Sequence, residues 1–489
     1  MRVLYVTAEL YPWVKSGGLG DVAAALPPAL AAQGADIRLL LPGFPGFLDA
    51  FSGIADAVRL RTPFSAERIR VALAALPGTG RLAYLVDQPA LYDRPGSAYA
   101  DPGGRDWHDN LGRFGLFGWV AAALARGADP GWRPDIVHGH DWHAGLAPAY
   151  LAAEPAADRA VHTVFTIHNI AYRGLFPATL FPYLGLPADF FSIEGIEFYG
   201  DLSFIKAGLF YSGRLTTVSP TYAREIQTPA FGWGLDGLLR RRADALSGIL
   251  NGVDPQVWDP EHDPALPRAY GIADAAAGKA AAKSALQARL GLAAGGDRPL
   301  FGVVSRLTPQ KGLDLVLEAL PGFVESGAAL ALLGAGDGDL EAGFAAAATA
   351  HPGHVAVHIG YDEELAHLIV GAADVVLVPS RYEPCGLTQL YALRYGALPL
   401  VRRVGGLADT VVDATAVTLA DGTATGFTFD VASPQALRAA IERSRNLFAE
   451  RAVWQRMIGR AMTRDFSWAA AARQYLALYR GLHSEPPAA

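Results

Sequence analysis

Short runs of leucine and β-branched residues, apolar at nearly every position, alternate with alanine-rich stretches along most of the chain. The runs lie at residues 2–7, 36–42, 81–87, 135–140, 162–168 and 215–219, and resume at 299–305, 328–333, 354–359, 374–379, 398–401 and 426–429. A strand that is apolar throughout is covered on both faces, and a helix between two such strands supplies the crossover. Each series therefore predicts a doubly wound parallel sheet. Alanine is the best helix former, so stretches such as 275–288 and 345–350 read as helices rather than low complexity. Between the two series the pattern lapses into Pro, Asp and Ala over residues 255–297. The expected fold is α/β: two Rossmann-like domains, residues 1–254 and 255–465, facing across a deep cleft, with a terminal helical segment at 466–489. Ligands of such sheets sit beyond the carboxyl ends of the strands, so functional residues are expected just after them.

Composition removes several classes of function. A single cysteine, Cys385, excludes a disulfide-stapled scaffold. The net charge is −7 with Lys and Arg scattered, which leaves no footprint for nucleic acid. The most apolar stretch, residues 114–125, is bracketed by Arg113 and Arg126 and is shorter than the ~20 residues of a spanning helix. It reads as a buried helix, with no membrane role. The chain enters its first strand directly after Arg2, with no leader-like segment, so a cytoplasmic location is expected.

Five loops at predicted strand ends are candidates for chemistry. After the first strand, Lys15 precedes Gly17, Gly18 and Asp21; the glycines open backbone N–H groups to an anion at a helix start, and Lys15 adds a point charge. A plain glycine-rich turn is the alternative. Arg306 and Lys311 flank a proline turn after the strand at 299–305, where two cations can converge on a diphosphate without a metal. Glu383 sits on a turn locked by Pro384, with Gly386 permitting close approach and Leu387 and Thr388 opening a helix. That arrangement suits a carboxylate facing a sugar beside a phosphate-binding helix end, or simply an N-terminal capping acid. The run His138-Gly139-His140-Asp141-Trp142-His143 departs in order from the closest zinc-hydrolase pattern, so Asp141 reads as a cleft residue for a sugar hydroxyl. His168 and Asn169 end the next strand, and a cleft role there competes with a structural one. Gly334 to Gly338 read as a turn into a helix. Cys385, at a helix start that could lower its pKa, is either a packing residue or a thiol in the cleft.

Taken in order and spacing, the segments at 15–19, 138–148, 166–169, 305–312 and 380–396 closely resemble the ADP-glucose-using bacterial glycogen synthase family, relatives of plant starch synthases. The resemblance runs from Met1 to about Trp468; Ser16, where many relatives carry Thr, is a minor departure. It implies a retaining glucosyltransferase of the two-Rossmann (GT-B) type that moves glucose from ADP-glucose to the non-reducing end of an α-1,4-glucan and elongates glycogen. By that similarity the first domain serves the acceptor and the second the donor. Lys15, Arg306 and Lys311 hold the ADP phosphates, Tyr361 stacks on adenine, and Gly386, Leu387 and Thr388 cover phosphate and sugar. Glu383, Asp141, His168 and Asn169 surround the transferred glucose, with Glu9 and Tyr92 as less direct neighbours. The terminal helix braces the first domain.

Departure of a diphosphate leaves an oxocarbenium-like sugar, so the main help is expected from Arg306 and Lys311, with no metal or other cofactor required. Retention is compatible with a carboxylate nucleophile or with same-face attack; the resemblance favours the second. Two rivals stand beside this reading: a metal-dependent hydrolase built on His138, His140 and His143, and a glucan-binding protein without turnover.

Overall fold

The computed structural model describes residues 1–155, 160–325 and 327–484, and divides into two compact units. The first comprises Met1–Val218, Ala223–Ile249 and the chain from Trp468 onward; the second comprises Ser219–Tyr222 and Leu250–Ser467.

The first unit is built on a nine-stranded sheet in the order Leu246–Gly248, Arg214–Thr217, His162–Ile167, Ile136–His140, Arg2–Val6, Asp36–Pro42, Leu82–Asp87, Ser65–Ala75, Ser52–Thr62. The strands up to Leu82–Asp87 are parallel, as their continuous apolar character requires. The last two form an antiparallel hairpin on the edge, an addition to the parallel sheet that the sequence predicts. Its exposed face carries Asp56, Arg59 and Arg70, and Arg70 also reaches Asp87 on the next strand at 2.9 Å. Charge of this kind keeps an edge strand from pairing with other chains.

The helix Asn110–Ala125 is the apolar stretch between Arg113 and Arg126; Phe114, Leu116, Phe117 and Val120 are fully buried in the core of this unit. Among the described residues no helix is long and apolar enough to cross a membrane. The terminal helix Trp468–Ser484 lies along Gly18–Ala31 and drives Tyr475, Leu476 and Tyr479 into the same core. A short antiparallel sheet, Leu175–Pro177, Asp201–Ser203 and Glu197–Phe198, completes the unit.

The second unit has a wholly parallel six-stranded sheet, in the order Val355–Ile359, Ala329–Gly334, Leu300–Val304, Val375–Val378, Leu398–Arg402, Phe427–Phe429. Helices cover both faces and bury a separate core around Phe301, Leu330, Leu332 and Leu400. The alanine-rich stretch near 275 is the helix Ala275–Leu290, which docks through Lys283 onto Asp374 at 2.8 Å. The run from Gly334 to Gly338 is the turn into Gly338–Ala350, capped by the Asp337 side chain.

Candidate active site

In each unit the predicted residues gather at the carboxyl ends of the parallel strands, as a doubly wound sheet requires. In the first unit the chain leaves Arg2–Val6 and buries Glu9, whose Oε2 accepts from the backbone N–H of Ser16 at 2.7 Å and of Gly17 at 3.3 Å. Of the two glycine N–H groups that the sequence offers to an anion, that of Gly17 is thus held by Glu9. The free helix start is left to Gly18, the first residue of Gly18–Ala31. Lys15 is paired with Asp21 at 2.8 Å, on the first turn of that helix. The other Glu9 oxygen accepts from the Tyr99 hydroxyl at 2.6 Å. Burial raises the Glu9 carboxyl above its ordinary value, against the lowering effect of these hydrogen bonds.

Asp141, directly after Ile136–His140, holds a strained backbone with φ of +54° and ψ of −177°. For a residue with a Cβ that conformation costs about 1–3 kcal/mol and persists only where surrounding contacts enforce it. Here its own N–H donates to the Thr166 carbonyl at 3.0 Å, and Oδ1 accepts from the N–H of His168 at 2.7 Å and of Asn169 at 3.3 Å. Burial pushes the Asp141 carboxyl up to about 7, with the Glu9 charge adding to the rise. Asn169 turns the chain by accepting from the Ala171 N–H at 3.1 Å.

The imidazoles beside Asp141 form a buried, neutral stack. Burial pulls His138, His143 and His168 down to about 3 and His140 well below its ordinary value. His138 spends both ring nitrogens, Nδ1 on the Tyr479 hydroxyl and Nε2 on Thr166 Oγ1, each at 2.6 Å. His140 Nδ1 lies 2.9 Å from His168 Nε2. His143 stacks on Tyr99, ring centres 4.6 Å apart. The three imidazoles of the His138–His143 run therefore do not converge on one point. Among the described residues, ligand atoms grouped closely enough for a metal belong to Asp259, Glu261 and His262, none of which sequence reading singled out.

In the second unit Arg306 follows the strand Leu300–Val304, exposed, with no side-chain partner among the described residues. The 3₁₀ turn Pro309–Lys311 then directs Lys311 Nζ to Glu383 Oε2 at 2.6 Å. Ser380 Oγ donates to the same oxygen at 2.8 Å. The two loops are tied together by the Arg381 N–H on the Gln310 carbonyl at 2.8 Å, and by Arg381 gripping Asp314 through two bonds of 2.7 and 2.6 Å. A small cavity of about 30 Å³ lies between Ser305, Lys311, Ser380, Glu383, Gly386 and Thr388. Beneath the turn, Gly405 has φ of +44°, and a Cβ there would lie 1.9 Å from the Glu383 carbonyl oxygen. Gly406 is equally close to Cys385, so no side chain is tolerated under the Glu383 loop.

Several predicted roles meet a different setting. Lys311 and Glu383, read separately in the sequence, are one ion pair. Cys385 is buried and its thiol is pushed up to about 12, because burial outweighs the lowering effect of a backbone hydrogen bond from Asn251. It is no reactive thiolate. Tyr92 is in the core, its hydroxyl spent on the Arg113 carbonyl at 2.6 Å. The tyrosine that reaches the Glu9 and His143 cluster is Tyr99, and nothing in its sequence neighbourhood marks it. Ser380 was likewise missed, although it directly follows a predicted strand. Tyr361 is 78% exposed and its hydroxyl donates to Glu363, leaving its ring face open to solvent. Leu387 and Thr388 precede and open the short helix Thr388–Arg394, where Thr388 Oγ1 reaches the Val304 carbonyl at 3.4 Å.

Residues 2–241 match the family described as starch synthase catalytic domain, and residues 288–454 match glycosyl transferases group 1. The chain is 52% identical over 484 residues to a glycogen synthase of Francisella philomiragia subsp. philomiragia, covering 99% of this chain and all of that one. It is 51% identical over 487 residues to a glycogen synthase of Francisella tularensis subsp. novicida, with the same coverage. The solved catalytic domain of starch synthase IV from Arabidopsis thaliana, bound to ADP and acarbose, superposes with a TM-score of 0.87 at 32% identity, covering 99% of each chain. A sucrose-phosphate synthase from Thermosynechococcus elongatus, at 19% identity and a TM-score of 0.59, shares the fold alone. The chain is a glycosyltransferase, and it belongs to the glycogen and starch synthase family.

Proposed function

We propose that this chain transfers glucose from ADP-glucose to the non-reducing end of an α-1,4-glucan with retention of configuration, elongating glycogen in the cytoplasm. The observation that carries the reading is the Lys311–Glu383–Ser380 cluster, with Arg306 exposed and without a side-chain partner among the described residues, at the strand ends of a chain half identical to glycogen synthases. In the reaction the bond between glucose C1 and the β-phosphate oxygen breaks, and ADP departs with the electron pair. The acceptor 4-hydroxyl oxygen bonds to C1, and its proton passes to the departing phosphate. Negative charge grows on the phosphate, where Arg306 and Lys311 stabilise it, with Lys15 as a further cation. Tyr361 offers its open ring face to adenine, and Gly386, Leu387 and Thr388 border the phosphates.

On the same reading Asp141, His168 and Asn169 hold the transferred sugar. Glu383 already accepts from Lys311 and Ser380, which suits a carboxylate that steadies positive charge rather than one that bonds to C1. Cations in these positions make a metal unnecessary for the leaving group. Incorporation of labelled glucose from ADP-glucose into glycogen, run beside UDP-glucose and with and without a chelator, tests the reading. Transfer from ADP-glucose that survives chelation is expected. No incorporation, or activity that depends on added metal, rejects it, and a glucosyl ester trapped on Glu383 or Asp141 rejects same-face attack.

A further inference from the structure

We infer that His140 is a positioning residue: it keeps the proton of His168 on Nδ1, so that His168 meets the transferred sugar in one fixed tautomer, as a donor. The inference rests on the reading of His168 as a sugar-facing residue; the tautomer itself does not. Both rings are buried and neutral, so each carries one proton, and the two share a single hydrogen bond, His140 Nδ1 to His168 Nε2 at 2.9 Å. Only two placements satisfy that bond. If His168 donates, the proton of His140 must sit on its Nε2, and that atom is buried with no hydrogen-bond partner among the described residues. If His140 donates, its Nε2 is a bare lone pair, and the proton of His168 sits on Nδ1.

An orphaned buried N–H is costlier than an empty acceptor, so the second placement prevails. The His140 ring has little freedom to escape this choice: it stacks on Tyr5 at 4.0 Å between ring centres and lies 4.1 Å from His138, whose own nitrogens are both committed. With Nε2 of His168 occupied, Nδ1 is the ring nitrogen left for a ligand, and it carries a hydrogen. The His168 backbone is fixed independently through its N–H on Asp141. His140 thus controls the proton without setting the position of the chain.

The test uses the full chain labelled with ¹⁵N-histidine. Two-bond ¹H–¹⁵N correlation spectra distinguish Nδ1–H from Nε2–H, and the His168 signals are assigned by their loss in His168→Gln. The unliganded wild type is expected to show His168 protonated on Nδ1. His140→Phe, which keeps a ring against Tyr5 but cannot donate, is expected to release His168 into a mixture of tautomers. Its kcat should fall about 10-fold to 100-fold, the usual cost of losing a partner that orients a functional imidazole, with KM for ADP-glucose little changed. His140→Asn, whose amide can take the donor position, should recover the tautomer and most of the rate. A wild-type spectrum with His168 protonated on Nε2 overturns the inference, as does a His140→Phe protein with unchanged tautomer or unchanged kcat. Should His140→Phe fail to fold, the wild-type spectrum and His140→Asn still decide. Failure of glucosyl transfer itself would reject the proposed function while leaving the unliganded spectrum readable.

Discussion

Arg306 and Lys311 carry the same charge at the same end of one sheet, yet they differ in what they cost the fold. Arg306 is exposed and unpartnered among the described residues, whereas Lys311 is bonded to a Glu383 side chain that is 7% exposed. Arg306→Gln should therefore lower kcat by about 10²–10³, the typical loss of one preorganised charge contact. Its unfolding free energy should stay within about 0.5 kcal/mol of the wild type. Lys311→Met should lose a similar factor in kcat and also about 1–3 kcal/mol of stability, because a buried carboxylate is left with Ser380 alone. Denaturant melts beside steady-state rates separate the two, and equal stability of both variants would mean that the ion pair contributes nothing to the fold. Asp141 carries the opposite trade. Its carboxyl titrates at about 7 in the folded protein and ordinarily at 3.8, so between those values the folded state holds a proton that the unfolded state has released. Stability contributed by this group falls as pH rises through that window. Asp141→Asn keeps an acceptor for the His168 and Asn169 N–H groups and removes the ionisation. It should be more stable than the wild type by about 1–3 kcal/mol at pH 8, with no gain at pH 4, while losing transfer activity. Melts at the two pH values check it, and the absence of a gain at pH 8 would show that the carboxyl is not held up by burial.

The terminal helix Trp468–Ser484 is more than a cover for Gly18–Ala31, because Tyr479 reaches from it to His138, two residues before His140. Tyr479→Phe keeps the ring in the core and leaves His138 Nδ1 without a partner. A loss of about 1 kcal/mol is expected, read as a lower melting temperature; a stability equal to wild type would mean the hydroxyl bond adds nothing net. Elements were legible in the sequence where burial is two-sided, since the continuous apolar runs mark every long parallel strand of both sheets. The hairpin Ser52–Thr62 and Ser65–Ala75 was not, because its exposed face interrupts the apolar run with Asp56, Arg59, Glu67, Arg68 and Arg70. Loops were legible where the chemistry is local: Arg306 and Lys311 on one proline turn, Glu383 to Thr388 on another. What escaped is contact across the chain. Gly405 and Gly406 make room for the Glu383 turn from a different strand end, and Tyr99 replaces Tyr92 at Glu9 from a distance of 90 residues in sequence. No spacing rule announces either.

At the scale of the whole molecule, two separate cores mean two separate responses to pH, and the second unit holds opposing groups of its own. His367 is packed flat on Trp258, ring centres 3.8 Å apart, with Nδ1 2.8 Å from Asp263. Burial pulls its pKa down, but the hydrogen bonds to Asp263 and Glu363 outweigh it and raise the ring to about 9. Asp263, which also accepts from the Tyr395 hydroxyl at 2.6 Å, is held below its ordinary value. The stabilisation from a raised histidine is complete below about pH 6.5 and is lost as pH climbs through 9. Lys279 works the other way: burial drops its amine to about 7 from 10.5, so over that span the unfolded chain binds the proton and stability rises with pH. The two slopes partly cancel in the wild type, which makes the raw pH profile a poor diagnostic. The difference between the wild type and His367→Asn isolates one of them. We expect the variant to be less stable by roughly 3 kcal/mol at pH 6, following 1.36 kcal/mol per pKa unit, and the gap to narrow by more than half at pH 9.5. Denaturant unfolding of the full chain at the two pH values measures it. A gap that does not change with pH would mean that His367 is neutral throughout and holds Asp263 by a hydrogen bond alone.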